Sequence, residues 1–211
     1  MVVLVSSFPY AINWTQKHVP AIVHITHSSE ELGNALADIL FGNCNPAGRL
    51  VETWPDSLDQ LPPMMDYNIR DGRTYMYFKG KPLYPFGYGL SYTTFAYSSL
   101  KTSSSTLNRD GLLTVSIDVK NTGTRPGDEV VQLYVRHLNS IMTRPQKELK
   151  GFKRVNLQAG EQKTVEMPLP AKLLAYWNMD KHAFEIEPDK IQIEVGASAT
   201  DIRASKQIGV H

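Results

Sequence analysis

Hydrophobic positions follow two different rules along this chain. Near the start they come as unbroken runs. Val2-Val3-Leu4-Val5 is a continuous, largely β-branched apolar stretch of the kind expected for a parallel strand covered on both faces. A short helical segment around Tyr10 to Gln16 leads to a second strand, Ala21-Ile22-Val23-His24-Ile25-Thr26. Ser28 and Glu31 then have capping-box spacing, and Leu32, Ala35, Leu36, Ile39 and Leu40 recur at three-and-four spacing, which predicts a short amphipathic helix. Gly42 stands where that helix should stop.

From about Phe95 the rule changes to alternation. Leu113, Val115, Ile117 and Val119 alternate with Thr114, Ser116, Asp118 and Lys120, and Asn121-Thr122-Gly123 turns the chain. Val131, Leu133, Val135 and His137 alternate with Val130, Gln132, Tyr134 and Arg136. Further strands are expected at Lys147 to Phe152, Lys163 to Leu169, His182 to Ile186, Ile191 to Val195 and Lys206 to Val210. Seven or eight short strands at this spacing read as an immunoglobulin- or fibronectin-type sandwich. The fold class expected is therefore an α/β fragment followed by an all-β immunoglobulin/fibronectin type III-like sandwich.

Between the two lies a segment where prolines 62, 63, 82 and 85 and glycines 72, 80, 87 and 89 accumulate. It is not a flexible linker, because residues 67–97 hold 10 of the chain's aromatic side chains and such rings bury large areas. The expected organisation is residues 1–55 as the C-terminal piece of an α/β domain, 56–94 as an ordered aromatic connector and 95–211 as the sandwich. Two strands and two helices are too few to enclose a core. Something upstream, or another copy of the chain, is expected to complete the first piece.

Composition narrows the function classes. The 22 basic and 21 acidic residues leave a net charge of +1, which gives no electrostatic reason to expect nucleic acid or an anionic membrane as a partner. The longest apolar runs fall far short of a membrane-spanning helix, and the start reads as a buried strand rather than a secretory signal. Cys44 is the single cysteine, so no internal disulfide or cysteine metal pair is available and the compartment stays open.

Candidate chemistry is sparse. Glu30 and Glu31 read as helix-start charges, since adjacent helical carboxylates do not face one another. His24 and His27 lie three apart in or beside a strand, on opposite faces, which argues against a shared metal. Tyr84, Phe86, Tyr88 and Phe95 read as packing between domains. No cofactor is called for.

Longer motifs carry a family likeness. Gly42-Asn43-Cys44-Asn45-Pro46-Ala47-Gly48-Arg49-Leu50, Thr53-Trp54-Pro55 and Pro82-Leu83-Tyr84-Pro85-Phe86-Gly87-Tyr88-Gly89-Leu90-Ser91-Tyr92-Thr93-Thr94-Phe95 closely resemble the C-terminal part of glycoside hydrolase family 3. Asn121-Thr122-Gly123, Pro126 to Tyr134 and Lys147 to Phe152 resemble the fibronectin type III-like domain that closes many such enzymes. The resemblance implies a β-glucosidase or β-xylosidase whose nucleophile and acid/base carboxylate both precede Met1. Retaining hydrolysis needs two carboxylates about 5 to 5.5 Å apart. The chain is thus expected to be a support region without catalytic residues of its own, its partners the upstream catalytic region or another copy, and the full enzyme's substrates β-linked glucosides, xylosides or oligosaccharides. A free-standing carbohydrate-binding or self-associating module is the alternative. Asp71, Arg73 and Tyr75, within a stretch that resembles a family segment ending in two aromatics, are the candidates for the rim of a sugar pocket, although Asp71-Gly72 is also a simple turn signal.

Overall fold

The computed structural model describes residues 1–27 and 30–211. It divides into two compact units, Met1–Leu90 and Ser91–His211. Most regular structure is strand, helices are few, and among the described residues no helix is long and apolar enough to cross a membrane.

In the first unit the expected runs form strands β1 (Val2–Val5) and β2 (Ile22–Ile25), paired in parallel with Val2 opposite Ile22 and Val5 opposite Ile25. Helix α1 (Asn13–His18) lies later than the segment expected around Tyr10 to Gln16. Its end is set by Pro20, because the residue before a proline avoids helical angles and Val19 is extended, with φ −110° and ψ 122°. Helix α2 (Leu32–Phe41) stops at Gly42, whose left-handed φ of 77° lets its N–H reach the Ile39 carbonyl at 3.1 Å.

The capping box is the part of this reading that differs. Ser28 lies outside the described residues, and Glu31 itself occupies the N-cap position without a side-chain cap, its Oε2 instead accepting from Asn34 Nδ2 at 2.5 Å. The buried stripe is also narrower than its spacing implied. Leu32, Leu36 and Ile39 are half-buried, while Ala35 and Leu40 are exposed.

The second unit is built from β3 (Phe95–Thr102), β4 (Thr106–Leu107), β5 (Leu112–Asn121), β6 (Gly127–His137), β7 (Glu148–Leu157), β8 (Gln162–Pro170), β9 (Tyr176–Asn178), β10 (Ala183–Glu185), β11 (Asp189–Gly196) and β12 (Ile202–Val210). One sheet has the order β4-β12-β11-β6-β7, a second has β3-β5-β8, and β9 with β10 forms a separate hairpin. Alternation places Leu113, Val115, Ile117 and Val119 of β5 and Val165, Met167 and Leu169 of β8 in one core with Val131, Leu133 and Val135 of β6 and Ile191, Ile193 and Val195 of β11. These side chains are essentially inaccessible to water.

Two irregularities explain what alternation did not foretell. Strand β3 slips register between Ser98 and Lys101, where Ser99 adopts a positive φ of 57°, so its sequence carries no steady period. Strand β6 slips opposite β7 at Leu133/Tyr134. Tyr134 and Gln132, expected on the outer face, are buried as well. Tyr134 Oη donates to Gln132 Oε1 at 2.5 Å, Gln132 Nε2 donates to the Ala197 carbonyl at 2.7 Å, and the Lys147–Glu194 ion pair lies beside the ring.

The Asn-Thr-Gly turn is a hub. Asn121 is fully buried, donates from Nδ2 to the carbonyls of Arg125 and Leu157, and accepts at Oδ1 from Thr93 Oγ1 at 2.7 Å and Gly123 N at 3.0 Å. Only glycine fits at 123, where a Cβ would stand 2.2 Å from Thr93 Oγ1.

Candidate functional site

Within the first unit the aromatic segment is fastened by backbone and rings together. Leu50 N donates to Tyr88 O, Gly87 N to Leu50 O, and Trp54 N to Tyr84 O, all at 2.8–2.9 Å, so residues 84–88 run beside 50–54. Gly89 is required by the close approach, since a Cβ there would lie 2.2 Å from Gly48 O. Buried Trp54 receives His24, Tyr84 and Tyr10 edge-on at centroid distances of 5.0, 5.9 and 6.2 Å. Tyr84 stacks on Tyr88 at 5.3 Å and its hydroxyl donates to Gln16 Oε1. Burial raises the phenol pKa of both tyrosines, so they stay neutral donors at any physiological pH.

The three rim candidates sit on the same segment. Asn68 caps a single 3-10 turn, Ile69–Asp71, which ends at Gly72 with φ 98° and leaves Asp71 exposed. Arg73 turns back on the chain, donating from Nε to Asp66 O and from Nη2 to the carbonyls of Pro63 and Met64. It acts as a staple on the 63–66 loop. Tyr75 lies flat on Phe86, with centroids 4.3 Å apart and planes 15° from parallel. The observed contacts give the three residues different local tasks: an exposed carboxylate, a backbone clamp and a packed ring.

The two histidines near the first sheet go to different partners. His24 Nε2 meets Ser6 O at 3.0 Å while its ring packs on Trp54, and His27 Nδ1 meets Ser7 Oγ at 3.0 Å.

Among the described residues, an ionisable cluster in the second unit was not foreseen, because His137 lies some fifty positions from its carboxylate neighbours. His137, Glu187 and Asp189 bring one ligand-type atom each within 4.8 Å of one another. Glu187 accepts from Arg144 Nη2 at 2.9 Å, from Ser140 Oγ and from Ile141 N at 3.0 Å. Asp189 accepts from His137 Nδ1 at 2.6 Å and Asn139 N at 2.9 Å.

With the Arg144 guanidinium already facing Glu187, a metal ion would have to displace a paired cation. The arrangement is an ionic lock that ties the 139–144 loop to the start of β11. Burial, aided by the nearby Arg144 charge, lowers the His137 pKa against the pull of Asp189. Burial opposes ionisation of Glu187, but its bonds from Ser140, Ile141 and Arg144 outweigh this and hold the carboxyl below its ordinary value.

Known proteins place both units. Residues 1–92 match the glycosyl hydrolase family 3 C-terminal domain, and residues 129–199 match the fibronectin type III-like domain. A periplasmic beta-glucosidase of Salmonella typhimurium is 38% identical over 215 residues, covering 96% of this chain and 28% of that protein. A beta-xylosidase of Formosa agariphila is 40% identical over 204 residues, 94% of this chain and 28% of its own length. Among solved structures, a beta-glucosidase from Kluyveromyces marxianus in complex with glucose superposes with a TM-score of 0.90 at 36% identity, over 100% of this chain and 26% of that one. The chain therefore spans little more than a quarter of the length of these relatives.

Proposed function

The chain belongs to glycoside hydrolase family 3, carrying that family's C-terminal domain and a fibronectin type III-like domain, and from this premise we propose that it is the supporting C-terminal portion of a β-glycosidase. The whole enzyme would hydrolyse terminal β-D-glucosides or β-D-xylosides, the activities in the names of the relatives. In this reading both catalytic carboxylates come from outside residues 1–211. The α/β fragment spans 1–55, the ordered connector 56–94 and the immunoglobulin/fibronectin type III-like sandwich 95–211.

One observation carries the proposal. The first unit matches the family domain, yet its apolar strands and helix stay half-exposed, with Val5, Leu40 and Phe41 open to solvent. A parallel strand of this composition is stable only when covered. The catalytic region of the enzyme is the natural cover, and a second copy of the chain is the other. Asp71 remains a candidate for the rim of the sugar site, with Arg73 and Tyr75 holding the segment that presents it.

The test is hydrolysis of aryl β-D-glucoside and β-D-xyloside by the mass-verified chain, beside Glu30→Gln and Glu31→Gln variants. No turnover is expected. Activity of the chain that disappears in either variant would place catalysis inside these residues and overturn the support reading.

A further inference from the structure

The loop that joins β6 to β7, residues 138–147, has an exposed tip on a buried polar anchor. Ile141 at the tip is 83% exposed. The anchoring side chains are 3% exposed at His137, 1% at Asp189, 9% at Arg144 and 6% at Glu187. Asp189 holds the start of the loop. Its Oδ1 accepts from Asn139 N at 2.9 Å and its Oδ2 from His137 Nδ1 at 2.6 Å. Glu187 holds the middle, accepting from Ile141 N at 3.0 Å, from Ser140 Oγ and from Arg144 Nη2 at 2.9 Å. Ser140 Oγ accepts in turn from Met142 N at 3.1 Å and Arg144 Nε at 3.2 Å, so the turn at the tip depends on the same carboxylate.

One atom of this anchor is left over. A carboxylate only accepts, so the bond to Asp189 fixes the proton of the neutral His137 ring on Nδ1. Nε2 is then a bare lone pair, buried without a hydrogen-bond partner. A second proton is harder to house, because an N–H cation at Nε2 would lack an acceptor as well as water. Burial accordingly lowers the His137 pKa most, and the Arg144 charge adds to it, against the bond and charge of Asp189 and the charge of Glu148 on β7. The anions around the ring are already engaged. Glu148 pairs with Lys150 at 3.0 Å, Glu187 with Arg144, and Asp189 also accepts from Lys190 N at 2.6 Å. Opening the loop would relieve the strain of protonation by giving Nε2 water.

We propose that residues 138–147 form an acid-released clasp, in which a proton taken up at His137 Nε2 frees the loop from Glu187 and Asp189 while the two sheets stay folded. Release can be local because the hydrophobic core of the sandwich is built from residues outside 138–147. Its direction follows from linkage. In the open loop His137 returns towards its ordinary value of about 6.5, above its value in the closed one, so the closed state is at full strength above that pH and weakens as pH falls below it. The clasp rests on the second unit alone, independently of what the whole enzyme hydrolyses.

Amide hydrogen exchange of the full chain tests it, read at Asn139 and Ile141 from about pH 7 to about pH 5, with each rate divided by that of the unstructured chain at the same pH. Opening at both amides is expected to rise severalfold across this range, by no more than about tenfold per pH unit, the limit for one proton. Amides in the middle of β6 and β11 should keep their protection. The Nε2 signal of the His137 ring should titrate over the range in which the loop opens. His137→Gln, which takes up no proton here, should abolish the rise. Ser140→Ala removes one Glu187 contact and leaves the ring, so it should open the loop further at every pH and retain the dependence on pH.

Equal protection of Asn139 and Ile141 at both ends of the range would overturn the clasp. So would a rise that survives in His137→Gln, or a ring titration that falls outside the range of opening, since either assigns the proton to another group. A parallel loss of protection in β6 and β11 would show unfolding of the sandwich in place of release of the loop.

Discussion

Two apolar strands at opposite ends of the chain teach more together than either alone. Strand β1 reads Val-Val-Leu-Val and strand β11 reads Asp-Lys-Ile-Gln-Ile-Glu-Val-Gly, so β1 is by composition the stronger core candidate. The outcome is reversed. Ile191, Ile193 and Val195 of β11 are fully buried, while Val2, Val3 and Leu4 of β1 are only half-covered and Val5 is 46% exposed. Burial here follows from neighbours. Strand β11 sits between β12 and β6 and faces a second sheet, whereas β1 has β2 as its ladder partner.

That contrast makes unequal mutational costs the sharpest way to break it. Ile193→Ala removes a fully buried side chain from between two sheets and should cost about 4 kcal/mol in denaturant unfolding of the second unit. Val3→Ala in β1 should cost about 1 kcal/mol or less, because much of that side chain already meets water. Equal costs would mean that the first unit is as closed as the second.

Asn121→Ala comes next, at about 3 kcal/mol, because it strands the Leu157 and Arg125 carbonyls and the Thr93 hydroxyl inside the fold. The same substitution at the exposed Asn34, whose side chain donates to Glu31, should change stability by about 0.5 kcal/mol or less.

The pH dependence separates the units more gently. The folded His137 pKa lies below its unfolded value of about 6.5, so its contribution is complete above that pH and is lost as pH falls through the folded value. Glu187 is depressed in the folded state, so its contribution is present above about 4.3 and is lost at lower pH. Melting temperature should therefore hold steady from pH 7 to 8 and decline in two stages on acidification. His137→Gln should remove the upper stage and leave the lower one, and an unchanged upper stage would assign it elsewhere.

Arg73→Lys is expected to act mainly on its own loop. A single ammonium cannot span the carbonyls of Pro63, Met64 and Asp66 as the planar guanidinium does, so the 63–66 loop should become more susceptible to proteolysis. Global stability should fall by about 1 kcal/mol or less.

How much of this was legible depended on whether the signal was local. The strands that alternate cleanly, such as Leu113 to Val119, and the helix ending at Gly42 were readable because period and stop residue lie within a few positions. Strand β3 was not readable as a regular element, since its register break at Ser98 to Lys101 scrambles the period. The burial of Tyr134 depended on Lys147, Glu194 and Gln132 closing over it, and the His137–Asp189 and Arg144–Glu187 pairs join distant positions. Spacing rules cannot report either. The contacts of Arg73 with the carbonyls of Asp66, Pro63 and Met64 were likewise not legible, because they depend on how the 63–66 loop turns back on the chain.

Native-state hydrogen exchange on the intact chain tests the central contrast most directly. The account predicts that amides of β5, β6 and β11 exchange only through global unfolding of the second unit, while those of β1 and β2 exchange faster by about a hundredfold or more through local opening. Protection of Val3 and Val23 equal to that of Ile117 and Ile193 would contradict it, and the first unit would then need no cover.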